Sequence, residues 1–155
     1  MSSDCYGWEQ VLCNSATAHI VGLSLNHIID TTNWLLNVSL FWPFKELTSL
    51  DLSGNQIGGC IDYEDMSGNR LTWSISPYIG ALSLTKAISL SDNNFNGAFP
   101  TEDLCRSKKL EELDIFGNDF EEILPQCISN MSSLRVLDIS GNRYIRNCFT
   151  NICSE

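Results

Sequence analysis

An acidic or hydroxyl residue recurs four places ahead of an asparagine: Asp51, Asp65, Ser89, Asp114 and Asp138 precede Asn55, Asn69, Asn93, Asn118 and Asn142. Carboxylates at an even period suit a repeated ionic grip on a basic peptide or protein. Glu112 and Asp119 widen the series, and Phe116 and Tyr63 add aromatic rings that could anchor a ligand. The plainer alternative is an acidic face that only meets water. Catalysis finds less support, because each carboxylate fills the same slot of a repeated pattern rather than forming a distinct acid and base pair. His19 and His27 are the only histidines, and neither stands in a nucleophile elbow, a P-loop or an H-E-x-x-H motif. Cys5, Cys13, His19 and His27 are separated by 7, 5 and 7 residues, outside the short spacing that prepares a zinc site. No enzyme activity, metal or cofactor is expected.

The elements that position these side chains are legible in the apolar residues around them. Leu110, Leu113, Ile115, Asn118 and Phe120 return as Leu134, Leu137, Ile139, Asn142 and Tyr144. The five asparagines are 14, 24, 25 and 24 residues apart, and three of those intervals fall in the range of leucine-rich repeats. Leu47, Leu50, Leu52, Asn55 and Ile57 fit the same template, whereas the unit of Asn93 has Thr85 in its first leucine slot. One repeat cannot bury its apolar face alone, but stacked repeats share a core and form a parallel sheet. Alternation at period two sends the leucines inward and the residue between them outward, so Ser24, Asp51, Asp65, Ser89, Asp114 and Asp138 are expected in a row on the concave face. The asparagines are read as internal splints for backbone groups left unpaired at a bend. An early unit at Ile20, Leu23 and Leu25, with Ile28 in the asparagine slot, brings the expected count to about six turns. The short step from Asn55 to Asn69 predicts an irregular turn near 58–75, with distortion around Asp62–Asp65.

Composition sets outer limits. The chain has 155 residues, 43% hydrophobic, which suffices for one domain with a continuous core. A net charge of −10 argues against a nucleic-acid partner, which needs phosphate-neutralising cations. No apolar run approaches the ~20 residues of a transmembrane helix. Seven cysteines and the sequons at Asn37 and Asn130 indicate an oxidising, secretory compartment, although the residues from Met1 to Asp4 do not form a secretory signal. The chain is therefore read as a secretory-pathway sequence without its leader.

After the asparagines the chain continues as Phe95-Asn-Gly-Ala-Phe-Pro100 and Phe120-Glu-Glu-Ile-Leu-Pro125, and it begins with Asp4-Cys-Tyr-Gly-Trp-Glu-Gln-Val-Leu-Cys13. The first two resemble the L-x-G-x-I-P continuation of plant extracellular leucine-rich repeats, and the last resembles that family's amino-terminal cap, with Tyr6 in place of its second cysteine. The chain as a whole is similar to the amino-terminal ectodomain of plant receptor-like proteins. The resemblance implies an α/β solenoid, a right-handed coil with a short-stranded parallel sheet on its concave face. It divides the chain into a partial cap over 1–19, repeats over 20–144 and a carboxyl-terminal tail over 145–155. Trp8 is read as a packing residue of the cap. Cys5 is expected to bond Cys13, Cys105 to bond Cys127 on the neighbouring turn, and Cys148 to bond Cys153, leaving Cys60 unpaired; the alternative is seven free thiols, as in the cytosol.

The implied function is a non-catalytic binding module at the cell surface, outside the cell or at the plasma membrane, in signalling or defence recognition. Its partner would be a protein, a peptide or a co-receptor, and the acidic face suggests a basic one. The alternatives are a relative of the polygalacturonase-inhibiting proteins and a truncated gene or splice remnant with no ligand of its own.

Overall fold

The computed structural model describes residues 7–31, 34–61, 84–97, 105, 107–121 and 126–143. Asp65, Asn69, Tyr63, Cys5, Cys148 and Cys153 lie outside them, as does most of the irregular turn expected near 58–75. Among the described residues ten strands follow one another: β1 Val11–Cys13, β2 Ile20–Ser24, β3 Trp34–Asn37, β4 Ser49–Asp51, β5 Ile57–Ile61, β6 Ala87–Ser89, β7 Asn96–Gly97, β8 Glu112–Asp114, β9 Asp119–Phe120 and β10 Val136–Asp138.

The Leu-x-Leu segments build the main sheet, in the order β1-β2-β4-β6-β8-β10. Its last five strands are parallel and in strict register, so Leu23, Leu50, Ile88, Leu113 and Leu137 form one column. Leu50, Ile88 and Leu113 are buried, and the residues on either side of each face outward, as the pleat requires. Strand β1 closes the first edge by running antiparallel to β2. Two smaller parallel pairs, β3 with β5 and β7 with β9, tie the segments that follow the asparagines. Short 3-10 turns over Val38–Phe41 and Gln126–Asn130 lie on the connections between strands.

The core runs along the stack. Leu47, Leu110 and Thr85 share the first apolar column, where Thr85 is buried and its hydroxyl donates to the Leu47 carbonyl. A further column on the same coils holds Leu52, Leu90 and Ile115, and beyond the asparagines Ile57, Phe95 and Phe120 are fully covered. The rings of Phe95 and Phe120 lie nearly parallel with centroids 6.1 Å apart. Burial fades at the far end: Leu113 is 0% exposed but its column neighbour Leu137 is 36% exposed.

Two expectations need correction. The ladder passes directly from Asp51 in β4 to Ser89 in β6, and among the described residues the parallel ladder has five rungs rather than one for each of about six turns. The physical reason lies in the backbone, since Leu52 N–H donates to Ser89 O at 2.9 Å and Gly54 N–H to Ser91 O at 2.9 Å, which occupies the groups an intervening strand would need. Trp8 does not pack: it lies in the turn before β1, where Val11 N–H donates to Trp8 O, and its side chain is largely exposed.

Candidate functional site

The outward residues of β4, β6, β8 and β10 line an open groove of about 450 Å3 on the outward face of the main sheet. Two rows define it. Ser49, Ala87, Glu112 and Val136 form one, and Asp51, Ser89, Asp114 and Asp138 form the other, with the buried Leu50, Ile88 and Leu113 column as the floor between them. The structure thus brings together Asp51, Ser89, Glu112, Asp114 and Asp138. Phe116 stands two residues beyond Asp114 with its ring partly exposed.

These carboxylates differ in what they have left to offer. Asp51 is fully engaged: Oδ1 accepts from the Ser53 amide at 2.9 Å and hydroxyl at 2.6 Å, while Oδ2 accepts from Ser24 at 3.0 Å and Asn26 at 3.2 Å. Burial disfavours its charge, but the bonds from Ser53, Ser24 and Asn26 prevail and hold its pKa below the usual carboxylate value. Asp114 accepts from the Phe116 amide at 3.1 Å and the Ser89 hydroxyl at 3.0 Å. Asp138 uses only Oδ1, which takes the Ser140 amide at 3.0 Å and hydroxyl at 2.6 Å; the Ser140 side chain and amide lower its pKa. Among the described residues, Asp138 Oδ2 and both oxygens of the exposed Glu112 carry no hydrogen bond. The carboxylate oxygens without hydrogen bonds therefore gather at the β8 and β10 end, around the exposed side chain of Val136.

Asn55, Asn93 and Asn118 lie inside, Asn142 is half-buried, and all four join coils. Asn118 Nδ2 donates to Leu90 O of the preceding coil at 2.9 Å and to Ile115 O and Phe116 O of its own at 3.2 Å, while its Oδ1 accepts from Phe95 N. Asn93 repeats this arrangement with Leu52, Leu90, Ser91 and Ile57. Asn142 does so with Ile115, Ile139, Ser140 and Phe120, and Asn55 reaches Leu25, Leu52 and Ser53 while accepting from Ile28 and Ile29.

Cys105 and Cys127 form a disulfide with Cα atoms 5.8 Å apart. Cys13 is also disulfide-bonded, to a partner outside the described residues, and Cys60 is a buried free thiol whose pKa burial pushes up to about 12. The alternative of seven thiols is thereby set aside. Asn37 ends β3, and Asn130 ends the 3-10 turn Gln126–Asn130; neither lines the groove. Among the described residues no cluster of metal-ligating side chains occurs and no helix is long and apolar enough to cross a membrane.

What the aspartate spacing did not reveal is the first row, Ser49, Ala87 and Val136. Its signal was available two residues ahead of each outward Asp or Ser, by the same period-two rule.

Comparison with known proteins agrees with this architecture. Residues 46–59 and 109–131 match models of the leucine-rich repeat. The chain is 34% identical over 139 residues to Receptor-like protein 9b of Arabidopsis thaliana, an alignment covering 80% of this chain and 15% of that protein's length. The crystal structure of the BIR3–SERK2 complex from Arabidopsis thaliana superposes with a TM-score of 0.72 at 26% identity, covering 92% of this chain and 68% of that one. A plant peptide hormone receptor, RGFR1, in complex with RGF2 superposes with a TM-score of 0.65 at 27% identity, covering 89% of this chain and 18% of the receptor chain.

Proposed function

The chain belongs to the leucine-rich repeat family of plant receptor-like proteins, and from that premise we propose that it is a non-catalytic module binding a protein or peptide along its concave sheet. The observation that carries the reading is the end of the groove at β8 and β10, where Glu112 and Asp138 keep carboxylate oxygens free beside the exposed Val136, with Phe116 exposed two residues beyond Asp114. A lysine or arginine of the ligand meets the carboxylates, and an apolar neighbour covers Val136 or Phe116. The small residues Ser49 and Ala87 leave room for an extended backbone on the same face. RGFR1, a structural neighbour, is a receptor of a peptide hormone, and BIR3 and SERK2 associate with one another, which supports peptide or co-receptor partners here.

In this reading the module works outside the cell or at its surface, in signalling or defence recognition, as part of a right-handed coil of the family's kind. The division into a cap over 1–19, repeats over 20–144 and a tail over 145–155 belongs to the same proposal, as do ligand roles for Ser89, Asp114 and Phe116. Binding of a panel of extended synthetic peptides, matched in length and differing in charge, tests it. Basic peptides with one large apolar residue bind, and added salt weakens them; a preference for acidic peptides, or none for charge, overturns the reading.

A further inference from the structure

A second surface feature lies away from the groove. Leu40 is 58% exposed and Trp42 48% exposed; Leu40 lies within the 3-10 turn Val38–Phe41 and Trp42 ends it, while Asn37 caps its start. Large apolar groups left together in water on one turn call for a cover. The capping residue supplies a candidate, because Asn37-Val38-Ser39 is an acceptor sequence for N-linked oligosaccharide. Its geometry is that of a primed acceptor: Asn37 Oδ1 takes the Ser39 amide at 3.1 Å and the Ser39 hydroxyl at 2.7 Å, while Nδ2 carries no hydrogen bond among the described residues. A 3-10 turn rises about 2 Å per residue with three residues to the turn, so Leu40 follows the capping Asn37 by about one turn, roughly 6 Å along the axis. The first sugar of a glycan is long enough to span that gap, and its C–H face is the kind of surface that packs on leucine and indole.

We propose that Asn37 carries an N-linked glycan whose first sugars lie over Leu40 and Trp42, making the sugar the missing cover of this turn. In the transfer, Asn37 Nδ2 bonds to the anomeric carbon of a lipid-linked oligosaccharide. The anomeric carbon's bond to the diphosphate oxygen breaks, the lipid diphosphate leaves, and one amide proton passes to the transferring enzyme. The site does not depend on the concave groove, so loss of peptide binding there has no bearing on it.

The test uses the full chain expressed behind a secretion leader in plant cells, as an Asn130→Gln variant so that the other sequon is silent. Intact mass is measured before and after enzymatic glycan removal, followed by hydroxyl-radical footprinting of Leu40 and Trp42. The expected result is loss of a glycan mass with conversion of Asn37 to aspartate, no such loss in Ser39→Ala, and a severalfold rise in oxidation of Leu40 and Trp42 once the sugar is gone. An unmodified Asn37 in secreted, folded protein overturns the site. Equal oxidation with and without the glycan overturns the covering role, and the Asn37→Gln chain, which never carries sugar, must then oxidise to the same extent as the glycosylated one.

Discussion

Asp92 leans over Gly117: a Cβ added to Gly117 would lie 2.6 Å from Asp92 Oδ1. The two residues hold the same place in consecutive coils, immediately before Asn93 and Asn118, and both have positive φ, 51° and 63°. His27 and Gly54 repeat the relationship two coils earlier, with His27 at φ 51° and its ring over the bare Gly54. The left-handed turn ahead of the asparagine is thus a column of its own, in which a side chain on one coil requires glycine on the next.

Gly117→Ala suffers both the left-handed backbone cost, about 1 to 2 kcal/mol for a residue with a Cβ, and collision with Asp92. Urea unfolding of Gly117→Ala in the parent and in an Asp92→Gly background separates the two. The second background is expected to recover part of the loss, and equal losses in both would show that the contact does not matter.

Asn118→Ala leaves the Leu90, Ile115 and Phe116 carbonyls and the Phe95 amide without the carboxamide that now serves them. The expected loss is about 1 to 3 kcal/mol, the range for stranding buried polar groups. Asn142→Ala, at the half-buried end of the stack, should lose less. An unchanged urea midpoint for Asn118→Ala would contradict the role of the carboxamide as a bridge between coils.

Much of this fold can be read from the residues, because period two and a recurring asparagine are local signals. Leu50, Ile88, Leu113 and Leu137 could be placed in one column from spacing alone. The partner of a rung could not: whether β4 pairs with residues near Asp65 or with β6 depends on which backbone groups Ser89 and Ser91 take up, a long-range choice that similar short motifs do not encode. The site was legible as a row of outward carboxylates. That Asp51 is saturated by Ser24, Asn26 and Ser53 while Asp138 keeps an oxygen free emerges only when neighbouring coils are in register.

Asp51 also shapes the response to acid. Its folded pKa lies below the ordinary ~3.9, so its stabilising effect is present above that value and is lost as pH falls through the lower folded value. Asp51→Asn should flatten the acid limb of a stability profile measured by urea midpoint. An acid limb as steep as that of the parent chain would show that other carboxylates carry it.

At the alkaline side the buried Cys60 acts in the opposite sense. Its folded pKa is raised to about 12, so the stabilising preference for the neutral thiol is full below the unfolded thiol pKa of ~8.5 and is lost as pH rises through the folded value. Native protein should therefore resist a thiol reagent at Cys60 at neutral pH and react after unfolding in urea. Rapid labelling of Cys60 in the native state would contradict its burial.

Binding through the concave face is tested most directly by comparing two charge changes against the basic peptide that binds best. Glu112→Lys combined with Asp138→Asn alters the groove while keeping an acceptor for Ser140, and Asp30→Lys adds positive charge at an exposed position that does not line it. Calorimetric titration should show the groove variant weakened about tenfold or more, a change of about 1.4 kcal/mol or greater, with Asp30→Lys close to the parent. Equal affinity for the groove variant and the parent, in proteins with matching urea midpoints, would contradict a ligand seated on Glu112 and Asp138.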